Sequence, residues 1–326
     1  MAAIIEEMDE IDLTIILNLL ANARENFTAI AKECNLSTTT IGSRFSQLVG
    51  RGIITGSTIL VNHRAMGGKV ACSVLVSVDK KEIKQVIDHI KKLPFRIPTI
   101  YLDPKNRIGL IAGLHDINEL SKLKESIKRS RFVSDVRIDV WTDIKNMPEK
   151  LCIGRQQGYV NRGIIQKDGA KKDDYALDDI DFKLIGVLLQ NSMQPFGKLA
   201  EQTGVSINTV SRKYKKLVDN DIIRSTIQLD LRKLGYFANV SFALAYSSQI
   251  EPEEVIREVL AIKNNYLTIK ISGEYDLLVH VLLQDLNQLL LTQKQIAEIP
   301  GISRIEMLVY PSFVPWPGNG EYISTF

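Results

Sequence analysis

The sequence predicts an α+β fold that is built twice, and three observations carry that prediction. The segment from Asp9 to Ile54 reappears without a gap at Asp178 to Ile223, an offset of 169 residues. Within each copy, apolar residues first recur at helical spacing and then switch to strand alternation. Each switch opens the order β-α-β-β-α-β. A period this long exceeds any solenoid unit and suits one to two domains. With 326 residues and 45% hydrophobic content, each half can bury a core of its own.

In the first copy, residues 11–22 put Ile11, Ile15 and Leu19 on one helical face. Phe27 to Cys34 makes a second short helix with Ile30, Ala31 and Cys34 facing in, and Asn35-Leu36 is a tight turn. Ser37 reads as the N-cap of a third helix, because its hydroxyl can accept from a free amide of the first turn. That helix carries Ile41, Phe45 and Leu48 at i, i+4 and i+7, and Gly50 and Gly52 end it. Ile53 to Val61 reads as strand, with a turn near Gly56-Ser57. The second copy repeats the plan. Leu184, Leu188 and Leu189 line its first helix, 196–202 is its second, and Gly204 makes the turn. Ser206 caps its third helix, whose core face is Val210, Tyr214, Leu217 and Val218.

The β-rich segments follow. Residues 70–78, 97–102, 108–114 and 133–140 alternate as strands, with helices at 80–92 and 117–127. In the second half the matching stretches are 238–246, 252–262, 267–272, 277–283, 286–299 and 303–310. This is the split-βαβ, or ferredoxin-like, arrangement. Val240, Phe242 and Leu244 alternate with Ser241, Ala243 and Ala245, so the sheet face without helices is itself partly apolar. The obvious cover is the other copy's sheet, packed face to face within the chain. Domain boundaries are expected at 1–62, 63–145, 177–231 and 232–312, with a linker at 146–176 and a tail at 313–326. The tail holds Pro315, Pro317, Phe313, Trp316, Tyr322 and Phe326, and reads as a strap over the last sheet.

Composition narrows the function classes. The net charge of +3 is weak, so any nucleic-acid surface must be local. Cys34, Cys72 and Cys152 lie far apart, which argues against a disulfide framework or zinc site and for a reducing cytoplasm. No segment reaches about 18 apolar residues, so no membrane span is expected. His63, His89, His115 and His280 form no cluster, and no nucleophile, phosphate-loop or metal motif is present. Neither catalysis nor a cofactor is expected.

Three short helices with a tight turn before a Ser-capped third helix describe a helix-turn-helix, whose third helix enters the DNA major groove. In the second copy the expected DNA-binding residues are Ser206, Asn208, Thr209, Arg212, Lys213 and Lys216, with Lys215 beside them. Asn can address adenine, Arg guanine, and lysines neutralise phosphate. The first copy offers Thr38, Thr39, Thr40, Ser43, Arg44 and Gln47 on the same surface, with Arg51 beyond. That face is polar but nearly uncharged, so the second unit is expected to bind duplex DNA more strongly.

Leu36-Ser37-x-x-x-Ile41-x-x-Arg44-Phe45-x-x-Leu48-x-x-x-Gly52-Ile53-Ile54 resembles the signature of the leucine-responsive regulatory protein/AsnC (Lrp/AsnC) transcription regulators, as does Asp12-x-x-Ile15-x-x-x-Leu19-x-x-Asn22. The resemblance covers nearly the whole chain, twice. The second copy departs from it at Lys213, where the signature has arginine, and at Asp221, where it has glycine. It implies a winged helix-turn-helix joined to a ferredoxin-like effector and oligomerisation domain. It also implies an amino-acid-like effector near Gly273-Glu274-Tyr275-Asp276, with Gly273, Tyr275 and Asp276 as contacts. The first copy has Asp103-Pro104-Lys105-Asn106 in that place. Siroheme decarboxylases resemble the same two-domain plan, and an architectural protein with little sequence choice would use the same basic face. The reading favoured over both is a regulator in which one chain forms a pseudo-dimer. Homodimers of that pseudo-dimer, or higher assemblies, are compatible with it.

Overall fold

The computed structural model describes residues 8–62, 70–146, 151, 175–311, 315–318 and 321–322. Cys152, His63, most of the linker and Phe313 and Phe326 of the tail lie outside the described residues. In chain order the first copy runs α1 (Glu10–Ala21), α2 (Phe27–Cys34), α3 (Thr38–Gly50), β1 (Ile54–Val61), β2 (Val70–Val78), α4 (Ile83–Ile90), β3 (Arg96–Leu102), β4 (Ile108–Leu114), α5 (Glu119–Lys128) and β5 (Val133–Asn146). The second runs α6 (Asp179–Gln190), α7 (Phe196–Thr203), α8 (Ile207–Asp219), β6 (Ile223–Leu229), β7 (Ala238–Tyr246), α9 (Pro252–Leu260), β8 (Asn265–Ser272), β9 (Leu277–Leu283), α10 (Leu286–Ala297) and β10 (Ile302–Pro311). A two-residue β11 (Glu321–Tyr322) follows.

The elements sort by type rather than by copy. One compact unit gathers both helix-turn-helix segments, and the other gathers both β-α-β-β-α-β segments.

In the helical unit the expected turn at Gly56-Ser57 does not form. β1 runs through it with a bulge between Ile54 and Gly56, and pairs antiparallel with β6 of the other copy. The exchange is reciprocal. Thr58 Oγ1 donates to the Leu189 carbonyl and Thr226 Oγ1 to the Leu20 carbonyl, each at 2.8 Å. The Ala23 amide donates to Ser225 O at 3.1 Å, and Ser192 to Ser57 O at 3.4 Å. Ile59 of β1 is accordingly buried in the second copy's core, among Leu184, Leu188, Leu199, Val210 and Leu217. Arg24 reinforces the join. Its guanidinium lies over the Phe196 and Tyr214 rings, 4.7 and 5.0 Å from their centroids, and donates to Gln194 O at 2.6 Å. Trp316 of the tail exchanges both backbone bonds with Leu229, at 2.7 and 2.9 Å. The tail therefore straps β6 through Trp316, whereas Glu321–Tyr322 of the same tail pair with β3.

In the β-rich unit all nine strands form one sheet, in the order β10-β7-β9-β8-β5-β2-β4-β3-β11. β5 outruns its expected end at residue 140 and continues to Asn146, because its second half pairs with β8. Each copy keeps a helix-covered core, one around Val74, Leu110 and Leu123 and the other around Phe242, Val279 and Ile296. The two copies' sheets, expected as separate layers face to face, instead join edge to edge through β5 and β8, and one apolar cluster spans the two copies. Ala71, Trp141 and Ile111 share one apolar cluster with Ala243, Ile269, Ile271 and Tyr275.

Register makes Arg137 and Glu306 equivalent residues. Arg137 lies opposite Leu75 on β5–β2, and Glu306 opposite Ala243 on β10–β7. Their charged groups come within 3.9 Å of each other. Two identical subunits would bring one residue toward its own copy here, whereas the fused chain places opposite charges. The Lys105 ammonium, followed by the Tyr275 hydroxyl and Arg137, holds the Glu306 carboxyl below its ordinary range. Arg137→Glu should therefore destabilise this unit by about 2 kcal/mol, since the introduced carboxylate meets Glu306, Glu274 and buried Asp139. Adding Glu306→Arg should recover part of that loss. Equilibrium unfolding followed by Trp141 fluorescence measures the double-mutant cycle, and strict additivity would refute the pairing.

Candidate nucleic-acid interface and effector hairpin

The capping serines are placed as the sequence predicts. Ser37 Oγ accepts from the Thr40 amide at 3.0 Å, and Ser206 Oγ from the Thr209 amide at 3.2 Å. The turns before them are left-handed at matching places, with Asn35 at φ 54° and Gly204 at φ 74°. After the third helices the left-handed residue is Gly52 (φ 65°) in one copy and Asp221 (φ 54°) in the other, so the substituted residue keeps the glycine's conformation.

Most of the expected contact residues lie on solvent. Ser206, Asn208, Arg212, Lys215 and Lys216 are exposed on α8, with Thr209 half-buried. Asn208, Arg212 and Lys215 recur at i, i+4 and i+7, which gathers them on one face. Thr38, Thr39, Ser43 and Gln47 are exposed on α3, with Thr40 half-buried and turned to Ser37 Oγ at 2.8 Å. A groove of about 430 Å³ runs beside α8, lined by Tyr175, Asp178, Ile180, Thr209, Arg212 and Lys216. The Lys216 ammonium sits 5.3 Å from the Tyr175 ring centroid.

Two expected DNA contacts are corrected. Lys213 is buried, and its Nζ donates to Asp178 Oδ2 at 2.7 Å and to fully buried Asp181 at 3.1 Å. Arg44 does the same in the first copy, at 2.6 Å to Asp9 and 3.0 Å to Asp12. Both signature cations thus pin the third helix to the first. Lys213 also holds the Asp178 carboxyl down, to about 2. The Tyr175 hydroxyl completes the second cluster by donating to both Asp181 oxygens, at 2.9 and 3.0 Å.

The effector hairpin is engaged within the fold. Gly273 is needed for close approach, since a Cβ there would fall 2.2 Å from Asp139 Oδ1. Tyr275 is buried, with its hydroxyl on Glu306 at 3.0 Å and its ring beneath the Arg304 guanidinium at 4.4 Å. Asp276 Oδ2 accepts from the Tyr246 amide at 3.0 Å. The groups expected to meet an effector are engaged within the fold.

Among the described residues no group of three His, Cys, Asp or Glu is placed to hold a metal. Cys72 is buried, and desolvation pushes its thiol up to about 12. His89 Nε2 bonds Ser126 O at 2.8 Å. His280 faces the Tyr266 ring at 6.1 Å, and desolvation pushes its pKa down to about 4. A folded pKa below the unfolded value of 6.5 means that its contribution is complete above pH 6.5 and is lost as pH falls toward 4. His280→Leu should therefore flatten the acid-side loss of stability in that window. Unfolding midpoints against pH, with Trp141 as reporter, measure the difference; an unchanged slope would refute it.

Two known domains match this geometry. An AsnC-type helix-turn-helix domain matches residues 8–49, and a winged helix-turn-helix DNA-binding domain matches residues 177–224. The relatives agree. The HTH-type transcriptional regulator Ptr1 of Methanocaldococcus jannaschii is 29% identical over 115 residues, 35% of this chain and 78% of its own length. The regulatory protein AsnC of Haemophilus influenzae is 25% identical over 126 residues, 37% of this chain and 84% of its own.

The chain is similar to Lrp/AsnC-type regulators.

Each regulator-like match is about as long as one copy, at 35% and 37% of the chain, which fits a duplication. Over its whole length the fold is similar to that of the siroheme decarboxylase NirDL, with a TM-score of 0.60 and 16% identity over 92% of this chain and 90% of that one. At that identity the likeness is one of fold. The Lrp/AsnC signature pointed to Arg44 and Lys213, but nothing local in it announced Arg24, whose partners lie about 170 residues away.

Proposed function

We propose that the chain is a DNA-binding transcription regulator of the Lrp/AsnC type whose second recognition helix, α8, supplies most of the DNA affinity. The observation that carries this reading is the exposed face of Asn208, Arg212, Lys215 and Lys216 on a Ser-capped third helix. With Lys213 spent inside the fold, Arg212, Lys215 and Lys216 remain as the exposed cations of that face. The matched face of α3 offers hydroxyls and an amide, which position a helix on the backbone without neutralising it. Pairing of β1 with β6 supports one chain acting as a pseudo-dimer with two recognition helices. An amino-acid-like effector at the Gly273 hairpin would first have to displace Tyr246 from Asp276.

The test is the ratio of affinities for a selected operator and for random duplex at one stated salt. A regulator gives a ratio of roughly a thousand or more, whereas near-equal affinities would mark an architectural protein. The whole-length fold likeness to NirDL favours a second reading, tetrapyrrole decarboxylation. Carbon dioxide released from siroheme by the purified chain would establish it in place of regulation, and none would exclude it.

A further inference from the structure

We propose that Ile207, the first residue of α8, reads the 5-methyl group of a thymine in the major groove. The inference rests on the DNA-binding reading of α8 and adds to it a base that the operator must contain. Ile207 is 55% exposed, although isoleucine is among the residues most often buried. The second copy's core cluster is built without it. Its position is fixed, because the Ser206 cap, at 3.2 Å to the Thr209 amide, closes the turn on which Ile207 sits. Ile207 precedes Asn208 and stands one turn ahead of Ser211, and all three are exposed. It therefore joins the polar face of α8 at the N-terminal end, where a recognition helix meets base edges. The duplication supplies an internal control. At the offset of 169 residues α3 carries Thr38 in this place, also exposed, so the scaffold does not require an apolar residue there.

A lone exposed isoleucine is ordinary on a protein surface, and it is the setting that selects the occupant. The unmodified major groove presents one apolar group, the thymine methyl. The apolar surface here is one side chain wide, flanked by exposed Ser206, Asn208 and Ser211. That width matches a single methyl and is too narrow for the apolar centre of a protein interface. Asn208, the next residue, suits adenine, the base that pairs with thymine. Two neighbouring side chains thus favour A·T pairs at this end of the helix.

Replacing thymine by deoxyuridine in a synthetic operator removes the methyl and nothing else. An unmethylated synthetic duplex also leaves thymine as the one source of a 5-methyl group, which sets 5-methylcytosine aside. Fluorescence anisotropy of the full chain, with each thymine of a selected operator replaced in turn, tests the proposal. For the wild type at least one replacement should weaken binding about fourfold, the effect of exposing one buried methyl-sized group. Ile207→Ser should bind the parent operator more weakly and no longer distinguish it from that same replacement. A wild type indifferent to every replacement, or an Ile207→Ser variant that keeps the wild-type ratio, overturns the proposal, while a preference for operator over random duplex leaves the regulator reading standing. Near-equal affinity for operator and random duplex overturns both. An Ile207→Ser variant with a lowered unfolding midpoint is replaced by Ile207→Thr, the residue of α3. Its thymine-to-uracil ratio should fall below that of the wild type, and an unchanged ratio counts against the proposal.

Discussion

Lys213→Ala is expected to destabilise the helical unit by about 3 kcal/mol, since removing one partner leaves a buried charge uncompensated. Asp181 has no exposed surface and keeps only the Tyr175 hydroxyl and the Asp178 amide once the ammonium is gone. Lys213→Arg should cost much less, because Arg44 occupies the same place in the first copy. Arg44→Ala should also cost less, because its partner Asp9 is half in solvent and its own side chain is 28% exposed. The chain's two tryptophans separate the units, with Trp316 bonded to β6 in one and Trp141 in the core of the other. Denaturation followed by Trp316 in a Trp141→Phe background therefore reports the helical unit alone. Acid should mimic the substitution. A carboxyl held at about 2 contributes fully above its ordinary value of 3.8, and that contribution disappears as pH falls toward 2. A Lys213→Ala variant as stable as the wild type would refute the ion-pair account.

Much of this fold is legible in the chain. The capping serines, the left-handed turn residues and the β-α-β-β-α-β order follow from local pattern, and local pattern is what periodicity and side-chain chemistry report. Lys213 shows where charge misleads. Val210, Lys213 and Leu217 recur at i, i+3 and i+7, which is an inward stripe, yet a lysine reads as solvent-facing until its buried aspartates are known. Gly273 is a second case. Glycine suits the position, but the cause is the Asp139 carboxylate from a distant strand rather than a turn that needs positive φ. Pairing between copies is the third. β1 has the alternation of a strand whichever partner it takes, and sequence carries no local mark that the partner is β6. Long-range pairing also explains why the wing turn at Gly56-Ser57 is absent and why β5 extends to Asn146.

The asymmetry between the recognition helices is the centre of the functional account. α3 and α8 share a cap, a length of 13 residues and an anchoring ion pair, and differ in what they show to solvent. Each phosphate contact releases counterions, so a basic face produces a steep salt dependence and a neutral one does not. Replacing Arg212 and Lys216 by alanine removes two exposed cations and the Lys216 contact with the Tyr175 ring, and leaves the Lys213 ion pairs with Asp178 and Asp181 in place. Affinity should fall roughly 10- to 100-fold at moderate salt, and the slope of log affinity against log salt should flatten by about two. Ser43→Ala with Gln47→Ala should change affinity by no more than about threefold and leave the slope intact, since neither side chain carries charge. Fluorescence anisotropy of the full chain on one duplex across a salt series measures both pairs of variants side by side. A flattened slope confined to Arg212→Ala with Lys216→Ala is the predicted result; equal losses from the two helices, or slopes that match the wild type in both, would contradict it.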